Sequence, residues 1–434
     1  MEGFRWIWRL NKEFKVRPLV EYMRTVPDPR SRQNQKHDVA EVLTYIVAAY
    51  VSGHTSLRRA VARCKRRVNW LRKGLVLENG IASVATVCRI LGNIDEELFL
   101  YAFMEWIGEI LDTKGRHVAI DGKALRAAVS KVRGGRTPML MNAIDVATGL
   151  VISQFPLLDK SNEIKTIPEL LKLLDIKGSI ITIDAIATQT DIMEQIVERE
   201  AHFEFFVKKN QPVAYEEITE WFESLEKTEL EGLLGRKYPE IVGKYTRESL
   251  DEKNRDRYEY REYRCCNDAA CLSKSRKIWP FVKSVGYIKQ MRILLVRDSD
   301  GNDITPDREE FLRSGSGRQE KPLKGDSESD AVQVIGVVSD LEMHAKDMGR
   351  RKRDHWRVEN CLHHVLDDTF REDRSPAKKS KNNLSLIRKF AYNIIRIAKI
   401  NEDADLPLTE MMDRFADEQD LIIKYIFEGI NCIK

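Results

Sequence analysis

HVAID at residues 117–121 and SIITID at residues 179–184 are two short apolar runs, each ending in an aspartate. Rich in Val and Ile and too short for helices, both read as buried strands. At His117 the apolar period changes from helical to strand-like. Residues 139–146 and 150–157 follow as strands, joined by the turn Ala147-Thr148-Gly149. Residues 162–174 and 189–199 are amphipathic helices, and residues 202–208 form a fifth strand. The order β-β-β-α-β-α-β predicts an α/β fold. Parallel pairing of the first and fourth of these strands would bring Asp121 and Asp184 together at strand ends, where open α/β sheets place their sites.

Working outward, residues 1–112 read as a helical N-terminal domain and a candidate DNA-binding domain, although no helix-turn-helix signature stands out. Its helices are expected over residues 14–26, 38–51, 55–74, 83–91 and 95–111, the first stopped by Pro27-Asp28-Pro29. Residues 113–210 form the first part of the α/β core. Residues 211–340 read as a mainly β insertion: YEYREYRC at 258–265 alternates charged with aromatic residues, and residues 279–296 hold two strand candidates. Residues 298–330 are poor in apolar side chains and read as a long loop. Residues 341–401 return as helices that complete the core. Residues 402–434 are an amphipathic tail whose Ile422, Ile423, Ile426 and Phe427 suggest an interaction surface.

HWRVENCLHHVLDDTFREDR, residues 355–374, reads as one helix. Trp356, Glu359, His363, Leu366 and Phe370 recur at the spacing that shares a helical face. A carboxylate amid apolar residues costs desolvation free energy unless a metal or cation meets it. Glu359 is therefore a buried ion-pair partner or a metal ligand. Asp367, Asp368, Glu372 and Asp373 read as salt-bridge partners of Arg371, Arg374 and nearby lysines.

Composition sets the outer bounds. The 434 residues suffice for two or three domains, 42% hydrophobic content supports real cores, and the net charge is only +4. No run approaches the roughly 18 apolar residues of a membrane span, and the start MEGFRWIWRL has too short an apolar run for a secretory signal. The seven cysteines form no CxxC pair and read as reduced thiols of a cytoplasmic protein. Cys265, Cys266 and Cys271 lack a second ligand pair for zinc. Positive charge is clustered, in Arg58, Arg59, Arg63, Lys65, Arg66, Arg67, Arg72 and Lys73, and again in Lys346, Arg350, Arg351, Lys352, Arg353 and Arg357. Such clusters neutralise phosphates, yet the N-terminal one reads equally as a solvated helix face.

Three carboxylates stand out together: Asp121 and Asp184 at strand ends, and Glu359 on the late helix. Alone, each aspartate reads as a turn residue. Jointly they resemble a ligand set for two divalent cations held about 4 Å apart, which need bridging and flanking oxygens for in-line displacement at phosphorus.

At these residues the chain resembles a known family. HVAIDGKALR, ITIDAIATQTDI and HWRVENCLHHVLDDTFREDR are similar to the three catalytic blocks of bacterial DDE insertion-sequence transposases, closest to the ISAs-type branch that includes the H-repeat-associated proteins. DKSNEI (159–164), FVKKNQ (206–211), RYEYR (257–261), WPFVKSVG (279–286) and NNLSLIRKFAYNIIR (382–396) extend the likeness, as does the N-terminal stretch from PDPRSRQNQKHDVAEVL to ASVATVCRIL. The chain departs from the pattern at VIGVVSDL (334–341), at Ala187-Thr188, at Arg255-Asp256 and at His363-His364. The resemblance implies an RNase H-like catalytic core interrupted by a β-rich insertion. It implies a catalytic triad of Asp121, Asp184 and Glu359 holding two Mg²⁺ or Mn²⁺ ions, with transposon ends and target DNA as partners, a homo-oligomer on DNA, and no membrane. Lys123 and Arg126 are expected to grip phosphates, and His355 and Trp356 to orient Glu359 or stack on a base. His363 is expected to reach a phosphate or a metal-bound water, although Trp356 and His363 read equally as core residues. Lys208, Asn210, Arg257, Arg261 and Arg353 are further DNA-binding or supporting candidates. The alternatives are an RNase H-like nuclease without strand transfer and a domesticated, non-catalytic DNA-binding protein.

Overall fold

The computed structural model describes residues 16–31, 33, 35–125, 139–157, 163–185, 188–253, 257–295, 299–300, 303, 332–375, 379–430 and 432–433. Helices come first: α1 (Leu19–Met23), α2 (Val39–Val51), α3 (Leu57–Arg66), α4 (Val68–Leu71), α5 (Val84–Asn93) and α6 (Glu96–Ile110). Strands β1 (His117–Ala124), β2 (Met139–Asp145) and β3 (Val151–Leu157) precede α7 (Glu163–Leu173), β4 (Ile180–Ile183), α8 (Thr190–Glu198) and β5 (His202–Val207). Then come α9 (Pro212–Leu230), α10 (Leu234–Lys237), β6 (Tyr245–Lys253), β7 (Arg257–Cys266), β8 (Ser284–Leu294) and β9 (Val332–Ser339). The last part holds α11 (Ala345–Val358), a π-helical turn (Glu359–His363), α12 (His364–Asp368), α13 (Lys381–Asn401), α14 (Leu408–Asp417), α15 (Gln419–Ile422) and a second π turn (Ile423–Phe427). By contact the chain divides into two units, Met1–Ser179 with Trp356–Lys434, and Ile180–His355.

In the first unit α13 is the central element. Nearly every residue along it is buried, including the charged Arg388 and Lys389. Phe390 meets Phe99, Phe103 and Trp106 of α6 with ring centroids 5.8, 4.9 and 5.1 Å away. Asn383 donates to the carbonyls of Leu91 and Ile94 at 2.9 and 3.1 Å, which ties down the end of α5. Farther along, Asn393 Oδ1 accepts from Val151 N at 3.0 Å and its Nδ2 donates to Val151 O at 2.8 Å. An amide thus caps the edge of β3 as a strand would. Helices α2, α3, α5 and α6 each start behind a side-chain cap, from Asp38, Ser56, Ser83 and Asp95. Strands β1, β2 and β3 form an antiparallel meander, with Asp121 opposite Asn142 and Asn142 opposite Gln154. Its β2–β3 turn needs Gly149, whose φ of +72° puts a side chain's Cβ 2.6 Å from Arg396 Nη2.

The second unit orders its strands β4-β5-β9-β8-β7-β6. Strands β4 and β5 are parallel and joined through α8, whereas β5 to β6 are paired antiparallel. Ile335, Val337, Tyr263, Ile288 and Phe206 build its core with Met343 and Met348. At Gly286 a Cβ would lie 2.2 Å from Met348 Sδ, so α11 packs directly on the backbone of β8.

Three expectations change. The segment after Gln211 opens as a helix, α9, because Ala214, Ile218, Phe222 and Leu225 recur at helical spacing and are all buried. Residues 279–296 supply one strand, β8, since Trp279 is buried in the turn ahead of it and Pro280 cannot donate to a ladder. The tail packs on its own chain: Ile422 and Ile426 are buried and Phe427 lies against Trp70, with centroids 5.8 Å apart. The loop expected over residues 298–330 falls almost wholly outside the described residues.

Asn393→Leu should leave the Val151 N–H and C=O buried and unpaired, at about 1–3 kcal/mol each. Chemical denaturation is expected to show a loss of that order.

Candidate active site

The site begins on β1, where residues two apart share a face of the strand. Asp121 Oδ1 accepts from Gly122 N at 2.9 Å. His363, from the π turn, lies over this face. Its Nδ1 is 3.5 Å from Asp121 Oδ2 and its Nε2 is 3.4 Å from Asn142 Nδ2, the residue opposite Asp121 in the ladder. One tautomer fits both contacts, with Nδ1–H turned to the carboxylate and Nε2 accepting from the amide. Burial, and then Lys123 and Lys389, push the His363 pKa down to about 3. At neutral pH the imidazole is uncharged, so it orients Asp121 without contributing a positive charge.

Lys123, next along the same face, is buried at 4% exposure. Its Nζ contacts Asp367 and lies 3.1 Å from Glu372 Oε2. The phosphate grip expected of Lys123 is therefore replaced by an internal ion pair. Glu372 is itself buried, and Arg388 Nη1 lies 3.8 Å from its Oε1. Lys389, fully buried, contacts Gln154 and donates to Ser385 Oγ at 3.1 Å. Burial raises the Glu372 pKa, but Lys123, Arg388 and Lys389 outweigh it and hold the group at about 2. Burial pushes Lys389 down to about 7, with Glu372 opposing and Lys123 and Arg388 adding to the fall. Arg388, Lys389 and Asn142 are the residues that sequence reasoning missed, whereas Glu372 pairs with a lysine as expected, the distant Lys123. A signal existed in Arg388 and Lys389, two charges between the apolar Leu384, Leu386 and Ile387 on one side and Phe390 and Ala391 on the other.

Glu359 opens the π turn and is exposed. The regular spacing that placed it on an apolar face fails because the π turn adds a residue. Val358, Leu362, Leu366 and Phe370 form the buried stripe instead. The helix also starts earlier than expected, at Ala345, and gives way after Asp368 to a left-handed Arg371 with φ of 52°.

In the second unit Asp184 follows β4 directly. Lys208 Nζ donates to its Oδ1 at 3.1 Å. Burial raises its pKa, but Lys208, the Ala185 N–H and Lys352 together bring it below the usual carboxylate range. Asn210 Nδ2 holds the Ala185 carbonyl at 3.0 Å, so Lys208 and Asn210 brace the loop that carries Asp184. His355 is buried, its Nδ1 2.9 Å from Thr182 Oγ1 and its ring edge-on to Phe206. Arg353 Nη1 donates to Tyr263 Oη at 3.1 Å. Arg257 Nε donates to Glu259 at 2.6 Å, and Arg261 Nη1 to Glu252 at 2.5 Å. Trp356 is half-buried. Arg126 lies outside the described residues.

Carboxylate oxygens are the ligands of a hard divalent cation, so the donor set of Asp121, Asp184 and Glu359 suits Mg²⁺ or Mn²⁺ in chemistry. Among the described residues, however, no three or more His, Cys, Asp and Glu side chains are grouped as a metal cluster. The cysteines are free, and no helix among these residues is long and apolar enough to cross a membrane.

The buried charges around Lys123 predict two pH windows. Glu372, at about 2 when folded against 4.5 free, contributes stability above pH 4.5 that is lost as pH falls toward 2. Lys389, at about 7 against 10.5, penalises folding fully below pH 7, and stability rises from there toward pH 10.5. Lys389→Met should flatten the upper rise in the denaturation midpoint. Glu372→Gln, which strands buried cations, should cost about 3–5 kcal/mol and flatten the acid limb.

Residues 112–394 match the family described as the transposase DDE domain, and residues 20–107 the family described as DDE_Tnp_1-associated. The chain is 28% identical over 395 residues to the candidate transposase YncI of Escherichia coli O157:H7, covering 88% of each. It is 27% identical over 389 residues to the H repeat-associated candidate transposase YhhI of Escherichia coli strain K12, covering 89% of this chain and 92% of the other. The cryo-EM structure of the piggyBac transposase synaptic complex with hairpin DNA covers 92% of this chain and 76% of its own at 11% identity, with a TM-score of 0.39, too slight a likeness to bear on the fold. Asp121, Asp184 and Glu359 all fall within the matched residues 112–394, and over that span this chain belongs to the transposase DDE domain family.

Proposed function

We propose that the protein is a DNA transposase that catalyses metal-dependent strand cleavage and strand transfer of an insertion sequence. The observation that carries the reading is the family match over residues 112–394, which takes in all three blocks with Asp121, Asp184 and Glu359. In this reading β1 to β5 with their helices are an RNase H-like core, and residues 211–340 are the β-rich insertion within it. The antiparallel β1–β3 meander and the parallel β4–β5 pair, each with an aspartate at the end of its apolar run, support that assignment. The partners are transposon ends and target DNA, engaged by a homo-oligomer.

Asp121, Asp184 and Glu359 would hold two Mg²⁺ or Mn²⁺ ions. When bound, these supply Lewis acidity to the attacking and leaving oxygens of the phosphodiester. The chain's own contribution is to orient the ligands and to keep Asp184 ionised. A neutral His363 holds the Asp121 carboxylate toward one rotamer without protonating it. Lys208 and the Ala185 N–H keep Asp184 ionised well below neutral pH. Glu359, at the π turn, is solvent-accessible and so open to solute. His355 and Thr182 fix the strand end next to Asp184.

Glu359→Gln is expected to lower cleavage and strand transfer by more than about 100-fold, since even outer partners of metal ligands contribute about 10–100-fold. Binding of DNA bearing the element's ends should persist. Equal activity in the variant would remove Glu359 from the triad. Cleavage without any joined product in the wild type would leave a nuclease of the same family.

A further inference from the structure

The chain's two basic runs fold to different ends. In α11 four of the six charges of that run turn inward or onto neighbours. Arg351 Nε donates to Glu204 at 2.5 Å, Lys352 Nζ lies 3.8 Å above the Phe206 ring, Arg353 holds Tyr263, and Arg350 pairs with Asp347. In α3 the opposite holds. Ala60, Val61 and Cys64 face the core, while Arg58, Arg59, Lys65 and Arg66 are exposed. Among the described residues, no ion pair or side-chain hydrogen bond engages these four. Residues 56–73 carry eight of the chain's 72 basic residues and none of its 68 acidic ones. Of the eight, Arg63 and Arg72 reach only uncharged partners, the Ala416 and Leu77 carbonyls and the Asn69 amide.

We propose that the outer face of α3, through Arg58, Arg59, Lys65 and Arg66, docks on the phosphate backbone of duplex DNA and grips it without regard to sequence. The nine residues from Arg58 to Arg66 span about 12 Å of helix, which matches about three to four phosphates along one strand at roughly 3.4 Å of axis each. Such a surface stays open at a cost in self-repulsion, which a polyanion relieves. Arginine heads outnumber lysine three to one on the face, which favours forked contacts to phosphate oxygens over a diffuse counter-ion cloud. Taking DNA as the polyanion rests on the transposase reading above; the charge surplus on α3 does not.

The test measures binding of the full chain by fluorescence anisotropy over a salt series, with EDTA present so that no strand is cut. One labelled duplex carries the element's ends and one is unrelated and of equal length. Replacing Arg58, Arg59, Lys65 and Arg66 together by Gln should reduce the slope of log K against log salt by about 0.9 per lost contact, hence by about 3 to 4. Affinity at 0.15 M salt should fall on the order of a hundredfold, alike on both duplexes. The same four positions changed to Lys, with Lys65 kept, should retain most of the slope. An unchanged slope in the Gln variant overturns the proposal. So does loss on the end-bearing duplex alone, which is base readout, or wild-type binding to phosphatidylserine vesicles with none to DNA. Failure of the catalytic reading looks different: no cleaved or joined product with Mg²⁺, but an intact salt slope and its loss in the Gln variant.

Discussion

Lys123 and Glu372, 3.1 Å apart and both buried, are the contact on which the candidate site depends. Two ions taken out of water are costly, and their attraction offsets that cost only in one well-formed geometry. This pair therefore fixes geometry more than it adds stability. It locks β1 to the segment following the π turn, and Arg388 extends the lock to α13. Asp121 stands two residues from Lys123 on the same face and inherits the rigidity of the strand. His363 and Asp367, four residues apart, bring the other side of the lock across that face. A carboxylate that must present its oxygens at fixed positions needs such a frame.

The histidine illustrates how burial assigns roles. An exposed imidazole beside Asp121 would be charged near neutral pH and would neutralise the aspartate. Enclosed with Lys123 and Lys389 nearby, His363 stays uncharged and serves only to orient. Asp184 is handled in the opposite way, with cations and an N–H keeping it ionised. One carboxylate is thus oriented by a neutral partner and the other held by cations.

Much of this was legible in the chain. Strands β1 and β4 were visible because β-branched residues cluster in short runs bounded by polar ones, although β1 runs on past Asp121 to Ala124, and the β2–β3 turn because Gly149 sits between two alternating runs. The helices of residues 19–110 followed from caps and period. The burial of Glu359 was misread because a π turn has no signature in a 3.6-residue period. Pro212–Leu230 lies among strands and reads with them as a β insertion, although Ala214, Ile218, Phe222 and Leu225 recur at helical spacing. Lys123 looked like a phosphate ligand because its partners, Asp367 and Glu372, lie some 244 residues away from it in the case of Asp367.

The two basic runs mark the boundary between what each level decides. Composition alone places eight cations within residues 56–73 and six around α11, with nothing to tell them apart. Tertiary structure separates them: Glu204, Phe206 and Tyr263 stand where α11 can reach them, and no acid among the described residues stands against the outer face of α3. Local sequence thus determined the periods, the caps, the short apolar strands that lead to Asp121 and Asp184, and the family. Packing decided which charges are paired, which histidine is neutral and which face stays open, because those outcomes depend on partners that are distant in sequence and close only once the chain has folded.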